Sequence, residues 1–334
     1  MNTLTLKHLL EEYANQRSSA LEKAKEKKEK LYSDNPRLQE IDDLLSQNSI
    51  LLAKLLLSSG NTSTVQKLEH KNIQLREEKD IILKKLHIDR NYFLPHFQCE
   101  LCKDTGYITE GYQTKMCRCL EQKIFDIEYN KLNVYNMQNQ TFDKFNLQYY
   151  SDIIDKTKYH SKISPRENMK QIKDICEKFI EQFDDPEGKN LLFFGNSGLG
   201  KTFLSNCIAN ELLKKKKTVL YQTAPVMLDT IINYRLDRNS NFSSDIYENL
   251  LNVDLLVIDD LGTENMNNMK FAELFTVINS RLLPKKDKIT KTIISTNLDL
   301  HELAAVYGER IVSRFAGNYL ICPFFGEDIR LIKK

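Results

Sequence analysis

At 334 residues the chain is longer than one ordinary domain, so a full α/β domain with one or two smaller modules is the expectation. Its 48 basic and 46 acidic side chains leave a formal net charge of +2, which excludes a uniformly basic nucleic-acid coat and confines any such contact to a patch. No stretch reaches the roughly eighteen consecutive apolar residues of a membrane-crossing helix, and Glu11 and Glu12 interrupt the apolar periodicity at the start. Neither a membrane association nor an export signal is therefore expected. Seven cysteines in a chain this long read as a reduced set, so the expected location is cytoplasmic.

From Leu4 to about Leu86 the sequence is rich in Leu, Lys and Glu and is broken at Ser33–Pro36 and Ser58–Asn61, which predicts three helices. In the third, Leu68, Leu75 and Ile82 recur every seven residues beside Glu77, Glu78 and Lys79, the pattern of a coiled-coil or helical-hairpin seam. Such stripes serve packing within the region, docking of a partner, or both. Residues 1–90 are thus expected to form a helical, coiled-coil region that binds a partner.

The helical pattern stops in residues 91–130, where Cys99-x-x-Cys102 and Cys117-x-Cys119 flank a Gly-containing, β-prone stretch. A short hairpin brings four thiolates so spaced around one tetrahedral Zn²⁺, a closed and therefore structural site. The second pair has one intervening residue where two are usual, so His96 is an alternative to one sulfur, and redox-active or unliganded thiols are the competing reading. Cys176, Cys207 and Cys322 lie in apolar contexts and read as inert core residues. Residues 131–165, rich in Asn, Gln, Tyr and Lys, read as a linker.

Over residues 166–334 a helix near Glu167–Phe183 is followed by the apolar runs NLLFF, TVLYQT, DLLVID, TIIST and YLICPFF, each separated by helical sequence. Strands alternating with crossover helices predict an α/β domain with a five-stranded parallel sheet. Between the first run and the helix TFLSNCIANELL lies Gly195-Asn196-Ser197-Gly198-Leu199-Gly200-Lys201-Thr202, a full G-x-x-x-x-G-K-[ST] match in strand-loop-helix context. Its glycines let backbone N–H groups face phosphates, Lys201 reaches the β and γ oxygens, and the Thr202 hydroxyl is placed for Mg²⁺, so ATP or GTP is the expected ligand.

Leu255–Ile258 runs into Asp259 and Asp260, two carboxylates at the C-terminal end of a buried strand, where open α/β sheets place their ligands. The economical reading gives Asp259 to Mg²⁺ and Asp260 to the attacking water; solvated acids ending a strand are the bland alternative. The TIIST strand ends at Asn297, read as a sensor that holds the water or the γ-phosphate. The helical stretch Pro225–Leu250 carries Tyr234, Arg235 and Arg238, which offer charge and a stacking surface, though a solvated helix explains them equally well.

Taken together, GNSGLGKT, LLVIDDLG, STN and YGERIVSRF resemble the AAA+ ATPases of the initiator and helicase-loader group, specifically DnaC/DnaI-type helicase loaders and their IstB-like transposase-helper relatives. The resemblance covers about Thr141 to Lys334 and implies that a helix arginine reaches the γ-phosphate of a neighbouring subunit. Arg314 is the first choice for that finger and Arg310, four residues earlier on the same helix face, the second. It further implies a domain without a C-terminal helical lid, with Arg330 as the candidate second phosphate sensor. Asp260 departs from the glutamate common in the superfamily, which implies a slow, switch-like ATPase.

The function so implied is ATP-dependent loading of a hexameric replicative helicase onto single-stranded DNA in replication, with hydrolysis as the release switch. A transposase-helper ATPase and a non-hydrolytic nucleotide-binding adaptor are the alternatives. A small-molecule kinase would need an acceptor-binding lid that no segment supplies.

Overall fold

The computed structural model describes residues 3–57, 62–128, 139–236, 243–285 and 288–332. The chain divides into two compact units, one of His8–Lys115, the other of Met116–Lys334 with Met1–Lys7.

Three helices open the chain, α1 (Thr3–Asp34), α2 (Pro36–Leu57) and α3 (Thr62–Lys85). Pro36 separates the first two because its ring has no N–H to continue a helix but suits the first helical position. The Asn35 amide N–H and side chain both return to Leu31 O, closing the turn. Leu31, Leu38 and Leu83 are buried together against Phe93 and Ile88. Helix α3 packs along α2, and Leu75 of its seven-residue stripe is buried. Midway, Asn48 Nδ2 donates to Asn72 Oδ1 at 2.8 Å, a buried polar pair of the kind that fixes helix register.

A two-stranded sheet follows, β1 (Tyr107–Glu110) and β2 (Gln113–Met116), turned at Gly111 with φ 63°. Helix α4 (Arg118–Glu128) then lies on the edge of the large sheet. The Gln122 side chain pairs like a strand with that edge: its Nε2 donates to Val219 O at 3.0 Å, and Val219 N–H donates to its Oε1 at 2.7 Å. Phe125 of the same helix joins the core beneath.

The short α5 (Lys156–Tyr159) precedes α6 (Pro165–Glu181), whose start is set by Ser164, accepting from the Glu167 N–H, and by Pro165 in the first turn. The large sheet comprises β3 (Asn190–Phe194), β4 (Val219–Thr223), β5 (Leu255–Leu261), β6 (Lys291–Thr296) and β7 (Tyr319–Pro323), all parallel, in the order β4-β5-β6-β3-β7. Between them run α7 (Lys201–Lys214), α8 (Ala224–Leu236), α9 (Ser243–Asn252), α10 (Asn268–Leu282) and α11 (Leu300–Asn318); α12 (Ile329–Ile332) follows β7.

Both faces of the sheet are covered, which is why the strands read as unbroken apolar runs. Leu191, Phe193, Tyr221 and Val257 pack one way, with α6 and α7 residues such as Met169 and Leu204. Leu192, Leu220, Leu256 and Ile258 pack the other way, with Met227, Leu274 and Ile311. The five strand runs read from sequence correspond to β3 to β7. Tyr150 is buried in the first of these cores, with Phe142, Phe145, Leu147 and Tyr149 against it, so this part of the stretch read as a linker packs on the large sheet.

Candidate nucleotide-binding site

The loop Gly195–Gly200 leaves β3 and enters α7 through a left-handed Gly200. Glycine is needed at both ends of the turn: a β-carbon on Gly195 (φ 131°) would run into Phe324 O, and one on Gly198 (φ 75°) into the Asp328 carboxylate. Ile329 N–H donates to Gly198 O at 3.0 Å, and Tyr150 Oη donates to Leu199 O at 2.9 Å, so the loop is held from both flanks.

Lys201 is 5% exposed. Its Nζ donates to Gly195 O at 2.6 Å, Asn196 O at 2.8 Å and Asn297 Oδ1 at 2.7 Å. Burial lowers its pKa to about 8, against the opposing pull of Asp260 and Asp259. The P-loop lysine and the residue read as a sensor thus meet directly.

Asp259 is also buried, at 4% exposure, and accepts from three hydroxyls. Thr202 Oγ1 lies 3.0 Å from its Oδ2, Tyr221 Oη donates to the same oxygen at 2.5 Å, and Ser295 Oγ donates to Oδ1. An all-oxygen pair of hydroxyl and carboxylate fits a hard cation such as Mg²⁺.

In a regular strand Asp260 would face away from Asp259, because successive side chains alternate. Here the β5–β6 register shifts between Ile258 and Leu261, and Asp260 takes a left-handed φ of 55°. That bulge re-aims its carboxylate into the same cavity as Lys201, with the Asp260 N–H held by Ser295 Oγ at 3.1 Å. Burial first, and then the charge of Asp259, raise the Asp260 pKa; Lys201 and Arg330 oppose the rise.

The cavity has a volume of about 530 Å³. The P-loop, Asp260, Thr263, Asn297 and Arg330 line it, together with Lys144, Phe145, Asn146, Tyr149 and Phe203. Sequence reasoning singled out the P-loop, Asp260, Asn297 and Arg330 and missed the others, among them Phe145, Asn146 and Tyr149 in a run, Phe142–Tyr150, that carries no helix or strand period. Arg330 is held by Asp328, Nε to Oδ1 at 3.1 Å.

The remaining residues singled out from sequence fall elsewhere. Arg310 and Arg314 both follow a break in α11 at Gly308, where φ is 72° and ψ 161°. Arg314 Nε donates to Asn279 Oδ1 at 2.8 Å, whereas Arg310 is exposed and, among the described residues, makes no hydrogen bond or ion pair. Arg235 is engaged within its own unit, paired to Glu273 at 2.7 Å and lying over the Tyr247 ring. Arg238 and the Tyr234 side chain lie outside the described residues.

The Sγ atoms of Cys99, Cys102, Cys117 and Cys119 lie within 4.8 Å of one another. The turn beside the first pair is built by Asp104, whose carboxylate accepts the Gln98 and Cys99 N–H groups at 2.9 and 2.8 Å. Four thiols so gathered are compatible with zinc, and His96 is not among them. No described helix is long and apolar enough to cross a membrane.

A parallel sheet with a P-loop after β3, an acid pair near the end of β5 and a polar residue, Asn297, directly after the intervening β6 has the architecture of a nucleotide-binding P-loop domain. Residues 152–315 match the family described as IstB-like ATP binding protein. The replicative helicase loader DnaC of Escherichia coli (strain K12) is 32% identical over 161 residues, 46% of this chain and 61% of that protein. The chain thus spans about three fifths of the length of this DnaC relative. The replicative helicase loader DnaI of Bacillus subtilis (strain 168) is 24% identical over 245 residues, 69% of this chain and 75% of that protein. A crystal structure of the DnaC helicase loader covers 57% of this chain and 99% of its own, at 21% identity and a TM-score of 0.46. Over the matched residues the chain is DnaC/DnaI-like.

Proposed function

We propose that the chain loads a hexameric replicative DNA helicase onto single-stranded DNA, with ATP as its switch. The observation that carries this reading is the site itself, in which Lys201, Thr202, Asp259, Asp260 and Asn297 converge within a domain similar to those of replicative helicase loaders. The DnaI match supports it further, because its 245 residues exceed the 164 from 152 to 315 and so extend beyond the ATPase family match.

In this reading the P-loop N–H groups and Lys201 hold the triphosphate, and Phe145, Tyr149 and Phe203 flank the base. Thr202 and Asp259 would hold Mg²⁺, which would supply neutralisation of the phosphate charge. Asn297 orients the attacking water, and an Asp260 carboxylate oxygen takes its proton. The raised pKa makes Asp260 a better base than an ordinary carboxylate. Arg330 reads the γ-phosphate from the same chain, and Arg314 or Arg310 does so from a neighbouring copy, so hydrolysis is slow until copies assemble or DNA binds.

The zinc module at the four cysteines and the helical region of residues 1–90 grip the helicase, in the cytoplasm. The transposase-helper alternative shares the ATPase domain and differs in needing a transposase and duplex DNA. The test is delivery of the helicase to a closed single-stranded DNA circle, read as helicase retained on the circle after a salt wash. Retention that requires the chain and ATP supports loading; equal retention without the chain refutes it.

A further inference from the structure

We infer that Tyr221 is a positioning residue for the divalent cation that accompanies the nucleotide: its phenol hydroxyl locks the two cation-holding groups, Asp259 and Thr202, in place. The inference rests on the ATP–Mg²⁺ reading of this site.

Tyr221 lies on β4, next to β5 in the sheet, and pairs in register with Val257, two residues before Asp259. From there its side chain runs along the face covered by α6 and α7, 1% exposed, and its hydroxyl emerges at the strand ends. It donates to Asp259 Oδ2 at 2.5 Å and lies within hydrogen-bonding reach of the Thr202 hydroxyl. One phenol therefore touches both residues that would hold the cation.

A buried tyrosine in an apolar strand ordinarily needs one partner for its hydroxyl, and many carbonyls would serve. This one is directed at a carboxylate that already accepts from Ser295 and Thr202. The donation fixes the carboxylate plane and occupies one lone pair of Oδ2; with the Thr202 and Ser295 donations it leaves one lone pair, on Oδ1, for the cation or its water until the Thr202 hydroxyl itself turns to the cation. The outer hydrogen bonds of a metal-holding carboxylate have this function generally, and removing one costs about 10- to 100-fold in metal affinity. Tyr221 stands outside the P-loop and acid motifs, inside the run VLYQT, where an aromatic reads as core.

The test uses the full chain and a fluorescent N-methylanthraniloyl-ATP probe, with affinity measured in saturating Mg²⁺ and in EDTA. For wild type the ratio of the two affinities measures the coupling between cation and nucleotide. Tyr221→Phe keeps the ring and removes only the hydroxyl. The expected result is a coupling ratio about tenfold smaller, with the EDTA affinity within about twofold of wild type. Ser295→Ala, which removes another donor to Asp259, lowers the ratio in the same way. An unchanged ratio in Tyr221→Phe overturns the assignment while leaving the nucleotide reading intact. Equal losses with and without Mg²⁺ also overturn it, because they mark a purely structural tyrosine. A wild-type chain that binds no probe overturns the nucleotide reading and this inference together.

Discussion

Raising the pH should weaken nucleotide binding through Lys201 alone, beginning about two units below the range in which an ordinary lysine loses its proton. The Nζ is enclosed by two P-loop carbonyls and the Asn297 amide oxygen, which accept its protons but carry no full charge to offset burial. The free protein therefore holds this ammonium with a pKa of about 8 instead of 10.5. A triphosphate in the loop favours the charged form strongly, so binding above pH 8 must first return the proton. At pH 9 roughly one free molecule in eleven is charged, and affinity falls about tenfold from its neutral-pH value, ~1.4 kcal/mol per unit thereafter.

The linkage for stability has the opposite sign. Between pH 8 and 10.5 the unfolded chain retains a proton that the folded, nucleotide-free chain has released, so this group's contribution to stability rises with pH there. The assay is fluorescent-nucleotide binding from pH 7 to 9.5 at fixed ionic strength and Mg²⁺. Lys201→Arg is the control, since its guanidinium stays charged throughout. Affinity that stays flat to pH 9.5, or that declines equally in Lys201→Arg, refutes the reasoning.

Asp260→Asn should bind nucleotide normally but hydrolyse it about 10²- to 10⁴-fold more slowly, as measured by phosphate release. In freshly prepared protein, metal analysis should find roughly one zinc per chain, and Cys99→Ser with Cys102→Ser should abolish it; zinc retained in that variant would reject the four-thiol site. Gln122→Ala, by removing both bonds to the Val219 peptide, should cost about 1–2 kcal/mol in denaturant unfolding without altering nucleotide affinity. Arg310→Ala and Arg314→Ala should each leave binding intact, and the finger is whichever abolishes the acceleration of hydrolysis at high protein concentration; acceleration retained in both rejects a finger on this helix.

The strands were legible because a sheet covered on both faces needs uninterrupted apolar runs, and β3 to β7 supply them. The P-loop was legible because its geometry demands glycine at fixed places, as Phe324 and Asp328 show by filling the space a β-carbon would need. Three features were not. The bulge at Asp260 is one extra residue in a pairing register, which no composition signal marks. The wall from Phe142 to Tyr150 is two 3₁₀ turns too short for periodicity, although Tyr150 is as buried as the core. Arg235, which the sequence leaves open between a DNA contact and a solvated helix, is paired with Glu273, a partner 38 residues away that only the fold brings near.

The most direct measurement is co-purification of the full chain with the hexameric replicative helicase of its own cell, with ATP and without it. The account predicts a stable complex whose lifetime depends on nucleotide and on an intact Lys201. Absence of association in both states would contradict it.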